Sequence, residues 1–176
     1  MTLSPKGQIM LSGFSAMARY NRWMNERIYE RCEKLSDTER KVDRGAFFCS
    51  IHGTLNHLLL GDRLWLGRFL AREFRFKTLA DELYADFDEL HRERTKTDAE
   101  ILGWVETLDE AQFAGLFKFR SMVRKRDCTF PLWFAVQQFF NHQTHHRGQV
   151  TTLLMQAGVD PGVTDLMWLP GMEEAA

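Results

Sequence analysis

The most informative segment of the chain reads Asn141-His142-Gln143-Thr144-His145-His146-Arg147-Gly148-Gln149. It holds three of the chain's six histidines, inside a longer stretch with helical periodicity. Side chains four positions apart lie on the same face of an α-helix. His142 and His146 are therefore predicted to point the same way and to share one ligand. Imidazoles at this spacing are a common way to bind a transition metal ion.

The apolar stripe of the same helix predicts which histidines face inward. The stripe consists of Leu132, Val136, Phe139, Val150 and Leu153. Its middle passes through His142 and His146, whereas His145 falls on the polar side. A buried imidazole is costly unless it is hydrogen-bonded or bound to a metal. Two interpretations stay open at this point: a metal-binding pair, or a pair of core histidines satisfied by their neighbours.

The spacing His142-Gln143-x-x-His146 has the frame of the zinc-protease helix His-Glu-x-x-His. In that motif the glutamate is the general base. Gln143 has no titratable carboxylate and cannot take a proton in this way. The sequence therefore argues against a metalloprotease of that type.

Composition limits the function classes. The chain has 23 basic and 24 acidic side chains, a formal net charge of −1, which gives no electrostatic case for nucleic acid binding. No apolar run is long enough to span a bilayer, and no signal-peptide pattern opens the chain, so we expect no membrane partner. Cys32, Cys49 and Cys128 are scattered without a Cys-x-x-Cys pair. We expect a cytoplasmic protein with one domain over residues 1–176.

Helical periodicity predicts an all-α fold, a four-helix bundle with one apolar face on each helix. The four predicted helices cover roughly residues 9–35, 47–72, 86–107 and 131–157. The third has a possible break near 95–98, and its charged run from Glu89 to Lys96 is predicted to face solvent. Between the last two helices, Phe residues alternate loosely with Lys and Arg, which predicts a short β-hairpin near 115–130.

A metal held by His142 and His146 needs at least one more protein ligand. Bundle cores build metal sites from side chains on facing helices. The best candidates on another helix are His57 and Asp62, both on the second, and His52 is a weaker one.

Three segments of the chain resemble the DinB family of bacterial four-helix bundles. They are Tyr20–Asn25 in the first helix, Ile51–Leu66 in the second, and Asn141–Gln149, followed by the closing Gly158–Pro161. The string His-x-x-x-His-Arg-Gly-Gln in the third segment is the most specific of them. The segments occur in the expected order over nearly the whole chain.

The resemblance implies a site and a topology that the residue patterns alone do not give. It implies that His57, His142 and His146 are the ligands of a divalent transition metal ion: zinc, nickel, iron or manganese. It also implies an up-down-down-up bundle and a homodimer. Relatives that look like this family include thiol-dependent S-transferases and isomerases, and some members are described as metal hydrolases.

These features lead to two hypotheses about function. The first is a metal-dependent enzyme, either an S-transferase that uses a low-molecular-weight thiol or a hydrolase. The second is a non-catalytic metal-binding bundle of a stress response. Asn141 and Arg147 are candidates to hold an anionic substrate, although Arg147 could instead cap or pair on the helix. Asp62 could orient a ligand histidine or act as a base, or form a plain salt bridge.

Overall fold

The computed structural model describes residues 5–172, with four long helices, two short helices and one hairpin. In chain order these are α1 (Pro5–Cys32), α2 (Asp37–Lys41), α3 (Ile51–Phe69), α4 (Phe87–Glu106), α5 (Glu110–Ala114), β1 (Leu116–Ser121), β2 (Arg126–Pro131) and α6 (Leu132–Gln156), followed by one 3-10 turn (Leu166–Trp168). The predicted all-α bundle with a short hairpin is confirmed. The single domain over 1–176 stays a prediction, and its first and last four residues lie outside the described part.

Helices α1 and α6 run parallel. Phe14, near the start of α1, stacks on Phe140 of α6. Two turns further along both helices, Asn21 accepts a hydrogen bond from the Arg147 guanidinium. The contacts advance together along the two helices, so the first and last long helices point in the same direction.

Helix α3 runs against α6. His57 meets His146, whereas Asp62, further along α3, meets Gln143, which lies earlier on α6. Because α6 is parallel to α1, α3 is antiparallel to α1 as well.

Helix α4 also runs against α1. Asn25 donates to Asp98, while Tyr29, one turn later on α1, stacks on Phe87 at the start of α4. The order is therefore up-down-down-up, as the family resemblance predicted. The connection 70–86 leads from the end of α3 to the start of α4, which allows these two consecutive helices to run parallel.

Two apolar clusters fill the bundle, with a polar layer between them. One cluster includes Met24, Ile28, Leu55, Leu90 and Leu154, and the other includes Phe14, Leu66, Ile101, Val136 and Phe139. Between them, α1, α3, α4 and α6 each contribute buried polar side chains. The histidines of α3 and α6 belong to this middle layer. No helix within residues 5–172 has both the length and the apolar character that crossing a bilayer requires.

The helix boundaries differ from the predicted ones for local reasons. α3 begins at Ile51 rather than near 47, because Cys49 has a positive φ of 63° and the Ser50 side chain caps the helix by accepting from the Gly53 amide. The break expected near 95–98 is absent from α4. There the Thr97 hydroxyl donates to the Glu93 carbonyl oxygen one turn earlier, a hydrogen bond that a threonine inside a helix can make.

Candidate metal centre

The structure brings three histidines from two helices to one point. The Nε2 atom of His146 lies 3.2 Å from Nε2 of His57 and 3.1 Å from Nε2 of His142. Among the described residues, this is the group of His, Cys, Asp and Glu side chains whose ligand atoms come within 4.8 Å of one another. The three are the residues that the resemblance implies as ligands, and His142 and His146 are the pair indicated by helical spacing.

A glycine on α3 makes room for one of the rings. A Cβ atom built on Gly61 would lie 3.0 Å from Cε1 of His142, which is closer than nearly all such contacts. The two helices approach closely at this point, so the His142 ring occupies space that another residue at position 61 would fill. The small residue in the second segment therefore has a steric role at the cluster.

Two of the rings are oriented by hydrogen bonds at their outer nitrogen. Nδ1 of His57 lies 2.7 Å from the Leu79 carbonyl oxygen, which can only accept, so Nδ1 carries the proton. Nδ1 of His146 lies 2.7 Å from Oε1 of Gln149 and donates to it. In the neutral rings, both Nε2 atoms therefore direct lone pairs toward the common point. Such outer partners fix the tautomer and orientation of ligand histidines in metal sites.

Burial keeps the cluster neutral. Loss of solvation lowers the pKa of His57 to about 4; the hydrogen bond to Leu79 opposes this shift and the neighbouring His146 adds to it. Loss of solvation, followed by repulsion from the other histidines, lowers the pKa of His142 to about 3. The pKa of His146 is lowered as well, again mainly by burial. Neutral imidazole is the form that binds a metal ion, so no proton has to be displaced near pH 7.

Phe48 closes one side of the cluster. Its ring stacks on His57 with centroids 3.7 Å apart and an interplanar angle of 16°, and it meets His146 edge-on. His57 and His146 are 5% and 8% exposed, whereas His142 is partly exposed. A small molecule can therefore approach the cluster past His142 and not through the Phe48 side.

Asp62 lies in a buried ion pair and not beside the histidines' outer nitrogens. Its two carboxylate oxygens accept from Arg94 at 2.6 Å and from the Gln143 amide at 3.0 Å. Of the alternatives for Asp62, the structure contains the salt bridge. It lies in the core and not on the surface. Gln143, which replaces the protease glutamate, is fully buried in the same layer.

The two other predicted substrate-binding residues lie in different environments. Arg147 is buried, donates to Asn21, and lies over the Tyr20 ring at 5.3 Å. Its guanidinium is hydrogen-bonded within the core layer. The alternative in which Arg147 pairs on the helix therefore describes it better than the role of holding a substrate. Asn141 is exposed on α6 next to His142. Of the three candidates, Asn141 is the exposed one, and its role stays a prediction.

The remaining histidines lie apart from the cluster centre. His145 is exposed on the polar side of α6, as the helical spacing predicted. Nε2 of His52 lies 2.9 Å from the Tyr84 carbonyl oxygen. His91 stacks on Tyr29 with centroids 4.7 Å apart.

The buried charge network around Arg94 is missed by the sequence reasoning. The prediction that the run from Glu89 to Lys96 faces solvent is wrong for Arg94, which is 2% exposed and lies between Asp62 and Asp98. Helical spacing indicated this burial, because Arg94 falls four residues after Leu90 and seven before Ile101, both buried apolar residues of α4. Two acidic partners within reach satisfy the charge there.

The fold and the three-histidine cluster together define a helical bundle with a candidate metal centre between its second and last long helices. The sequence model of the DinB family matches residues 10–175, and the chain belongs to that family. It is similar to Protein DinB of Bacillus subtilis (strain 168), with 27% identity over 154 residues that cover 83% of this chain and 87% of that protein.

Proposed function

We propose that the protein binds a divalent transition metal ion through the Nε2 atoms of His57, His142 and His146. The arrangement of these lone pairs carries the proposal. Neutral His57 and His146 direct their lone pairs at each other across 3.2 Å, with their protons held by outer acceptors. A cation at the common point relieves this repulsion. Nitrogen ligands of this kind suit zinc, nickel, iron or manganese.

Three histidine ligands would leave an ion with a free position. Nε2 of His146 lies 3.1–3.2 Å from the Nε2 atoms of His57 and His142. Catalytic zinc sites combine three protein ligands with a position for water or substrate. The partial exposure of His142 provides the approach.

We propose further that this site is catalytic, in an S-transferase that uses a low-molecular-weight thiol or in a hydrolase. When bound, a divalent ion supplies Lewis acidity and lowers the pKa of a water or thiol in a free position. The chain contributes three neutral ligands and excludes water on the Phe48 side. The second candidate is a non-catalytic metal-binding bundle of a stress response, in which the histidines mainly fix the core by joining α3 to α6 in the middle of the bundle. A homodimer in the cytoplasm is part of the proposal.

Elemental analysis of the purified protein, followed by chelation, tests metal binding and its purpose. We expect about one ion per chain, lost on chelation with most helical circular dichroism retained, because the apolar clusters form without it. A turnover that disappears with the ion and returns on reloading supports the enzyme. Unfolding on chelation, with no turnover among the thiols and electrophiles screened, supports the structural role.

A cobalt-substituted sample separates the two enzymatic alternatives. Adding a cellular thiol should change its visible spectrum if sulfur enters a free position. A spectrum unchanged by every cellular thiol counts against the transferase. A fourth protein ligand that closes the coordination sphere would contradict both enzymatic alternatives, since neither water nor thiol could then reach the ion.

A further inference from the structure

A cavity of about 350 Å³ lies between the loop before α3 and the polar side of α6. The residues that carry the argument are Arg44 and Phe47 on the loop side, and His145, Gln149 and Leu153 on α6. Its volume is that of a small-molecule site. Gln149 is shared with the histidine cluster, since its Oε1 accepts from Nδ1 of His146. The cavity is therefore next to the candidate metal centre and separate from it.

The charge of the lining favours an anion. Among the described residues that line the cavity, none is an aspartate or glutamate, while Arg44 is one of them. Within residues 5–172, Arg44 has no carboxylate within 4.0 Å, and its Nη2 donates to the Glu39 carbonyl oxygen at 3.2 Å. The Arg44 guanidinium is thus held in place by a backbone group and makes no direct ion pair with a carboxylate of this part of the chain. A carboxylate is the natural partner for a guanidinium in this position.

The loop that carries Arg44 is closed on itself. Residues 44–49 (the site loop) join through the Arg44 amide, which donates to Cys49 O at 2.8 Å, and the Cys49 amide, which donates to Ala46 O at 2.8 Å. Gly45 and Cys49 have φ values of 71° and 63°. A non-glycine residue in that region is strained, and such strain persists only where the surroundings fix it.

The site loop carries two adjacent aromatic rings, Phe47 and Phe48, which meet edge-on with centroids 4.8 Å apart. Phe48 stacks on His57. Phe47 is 84% exposed and lies at the rim of the cavity. An aromatic side chain held in solvent by a closed loop gains free energy when an apolar group covers it. Phe47 therefore provides an apolar surface on the same loop as the Arg44 charge.

We propose that this cavity binds a small aromatic carboxylate, with its charged group at Arg44 and its ring against the exposed Phe47. The proposal deepens the proposed function, because it names a substrate class for the neighbouring site and rests on that function for its catalytic meaning. Binding itself needs only the site loop and α6. It should therefore be measurable whether or not the ion is present.

The test compares 2-naphthoate with 2-naphthamide, which has the same ring system and no charge. Binding to the full chain is followed by naphthalene fluorescence or calorimetry, before and after chelation. We expect saturable binding of naphthoate in both states and binding of the amide weaker by about tenfold, the effect of one charged hydrogen-bonded contact.

Variants place the ligand in the cavity. Arg44→Gln should weaken naphthoate binding about tenfold and leave naphthamide binding unchanged, whereas Arg44→Lys should retain most of the preference for the anion. Phe47→Ser should weaken both ligands. The matched control is Arg75→Gln, at an exposed arginine outside the cavity lining, which should change neither.

Equal binding of the two ligands, no effect of Arg44→Gln in a folded variant, or no saturable binding would overturn the proposal. Binding that vanishes on chelation would also overturn it, because the carboxylate would then be a ligand of the ion. If elemental analysis finds no metal while the Arg44-dependent preference persists, the proposed function fails and this inference stands.

Discussion

The Nε2 atoms of His57 and His146 lie 3.2 Å apart, although 89 residues separate them in the chain. The contact joins the second long helix to the last one in the middle of the bundle. It makes the lone pairs of two neutral imidazoles face each other, and this repulsion is unfavourable without a cation. Changes at these rings and their neighbours therefore test the candidate centre directly.

Replacing two adjacent histidines with alanine, one at a time, tests which face of α6 holds the ion. His146→Ala should remove most of the bound metal, because it deletes one of three converging nitrogens. His145→Ala is the matched control and should leave metal content nearly stoichiometric, since His145 is exposed on the polar side. Elemental analysis of both proteins measures the effect. Equal metal loss would show that the assignment of faces is wrong.

Gln149 is predicted to position His146. Gln149→Leu deletes the acceptor of the Nδ1 proton and should weaken metal affinity about 10- to 100-fold, the usual effect of losing an outer partner of a ligand histidine. Gln149→Glu keeps an acceptor and should retain affinity. Competition with a metal-binding dye measures both, and Gln138→Leu on the exposed side of the same helix serves as the control. Unchanged affinity in Gln149→Leu would contradict a positioning role.

Arg94 is predicted to be essential for stability. Arg94→Met leaves Asp62 and Asp98 buried without their cation and should lower the free energy of unfolding by about 3–5 kcal/mol. Arg72→Met breaks an exposed pair with Glu100 and should cost less than about 1 kcal/mol. Urea unfolding measures both changes. Similar losses in the two variants would mean that the buried network contributes no more than a surface pair.

The ion pairs of Glu93 predict a pH dependence. Hydrogen bonds from Lys96 and Arg63 lower the pKa of Glu93 to about 2, from 4.5 in the unfolded chain. The ionised carboxylate therefore stabilises the fold above about pH 4.5, and this contribution is lost as the pH falls from there toward 2. Glu93→Gln should lower the free energy of unfolding by about 1 kcal/mol at pH 7.

Unfolding of wild type and Glu93→Gln across this pH range checks the sign. The difference between them should shrink toward zero near pH 2. Glu26→Gln, at an exposed pair with Arg22, should show a small difference at every pH. A difference for Glu93 that is constant from pH 7 to pH 2 would contradict the prediction.

Much of the fold was predictable because local patterns suffice for it. The apolar stripe of α6 gives the inward side of the helix, and His142 and His146 continue that stripe. The hairpin follows from alternation, and its register pairs Phe119 with Cys128. The direction of the helices required the family resemblance, since periodicity along one helix carries no information about its neighbours.

The environment of the site was less predictable because it depends on contacts distant in sequence. Nothing near His57 indicates that Leu79 would accept its Nδ1 proton, since a carbonyl oxygen has no sequence signature. The burial of Arg94 could have been found from helical spacing. Its partners could not, because a charged run on a helix ordinarily faces water. For the same reason, the role of Asp62 was left between orienting a ligand and forming a salt bridge.

The hydrogen bond from His57 to Leu79 has a consequence for motion. Leu79 lies midway along the connection 70–86, which carries the chain from the end of α3 to the start of α4. The His57 ring, whose Nε2 faces the candidate metal site, thus links that connection to the site through one hydrogen bond. An ion bound at Nε2 would hold the His57 ring in this orientation, and with it the Nδ1 proton that Leu79 accepts. Amide hydrogen exchange around Leu79 should therefore report occupancy of the centre from a segment that contributes no ligand to it.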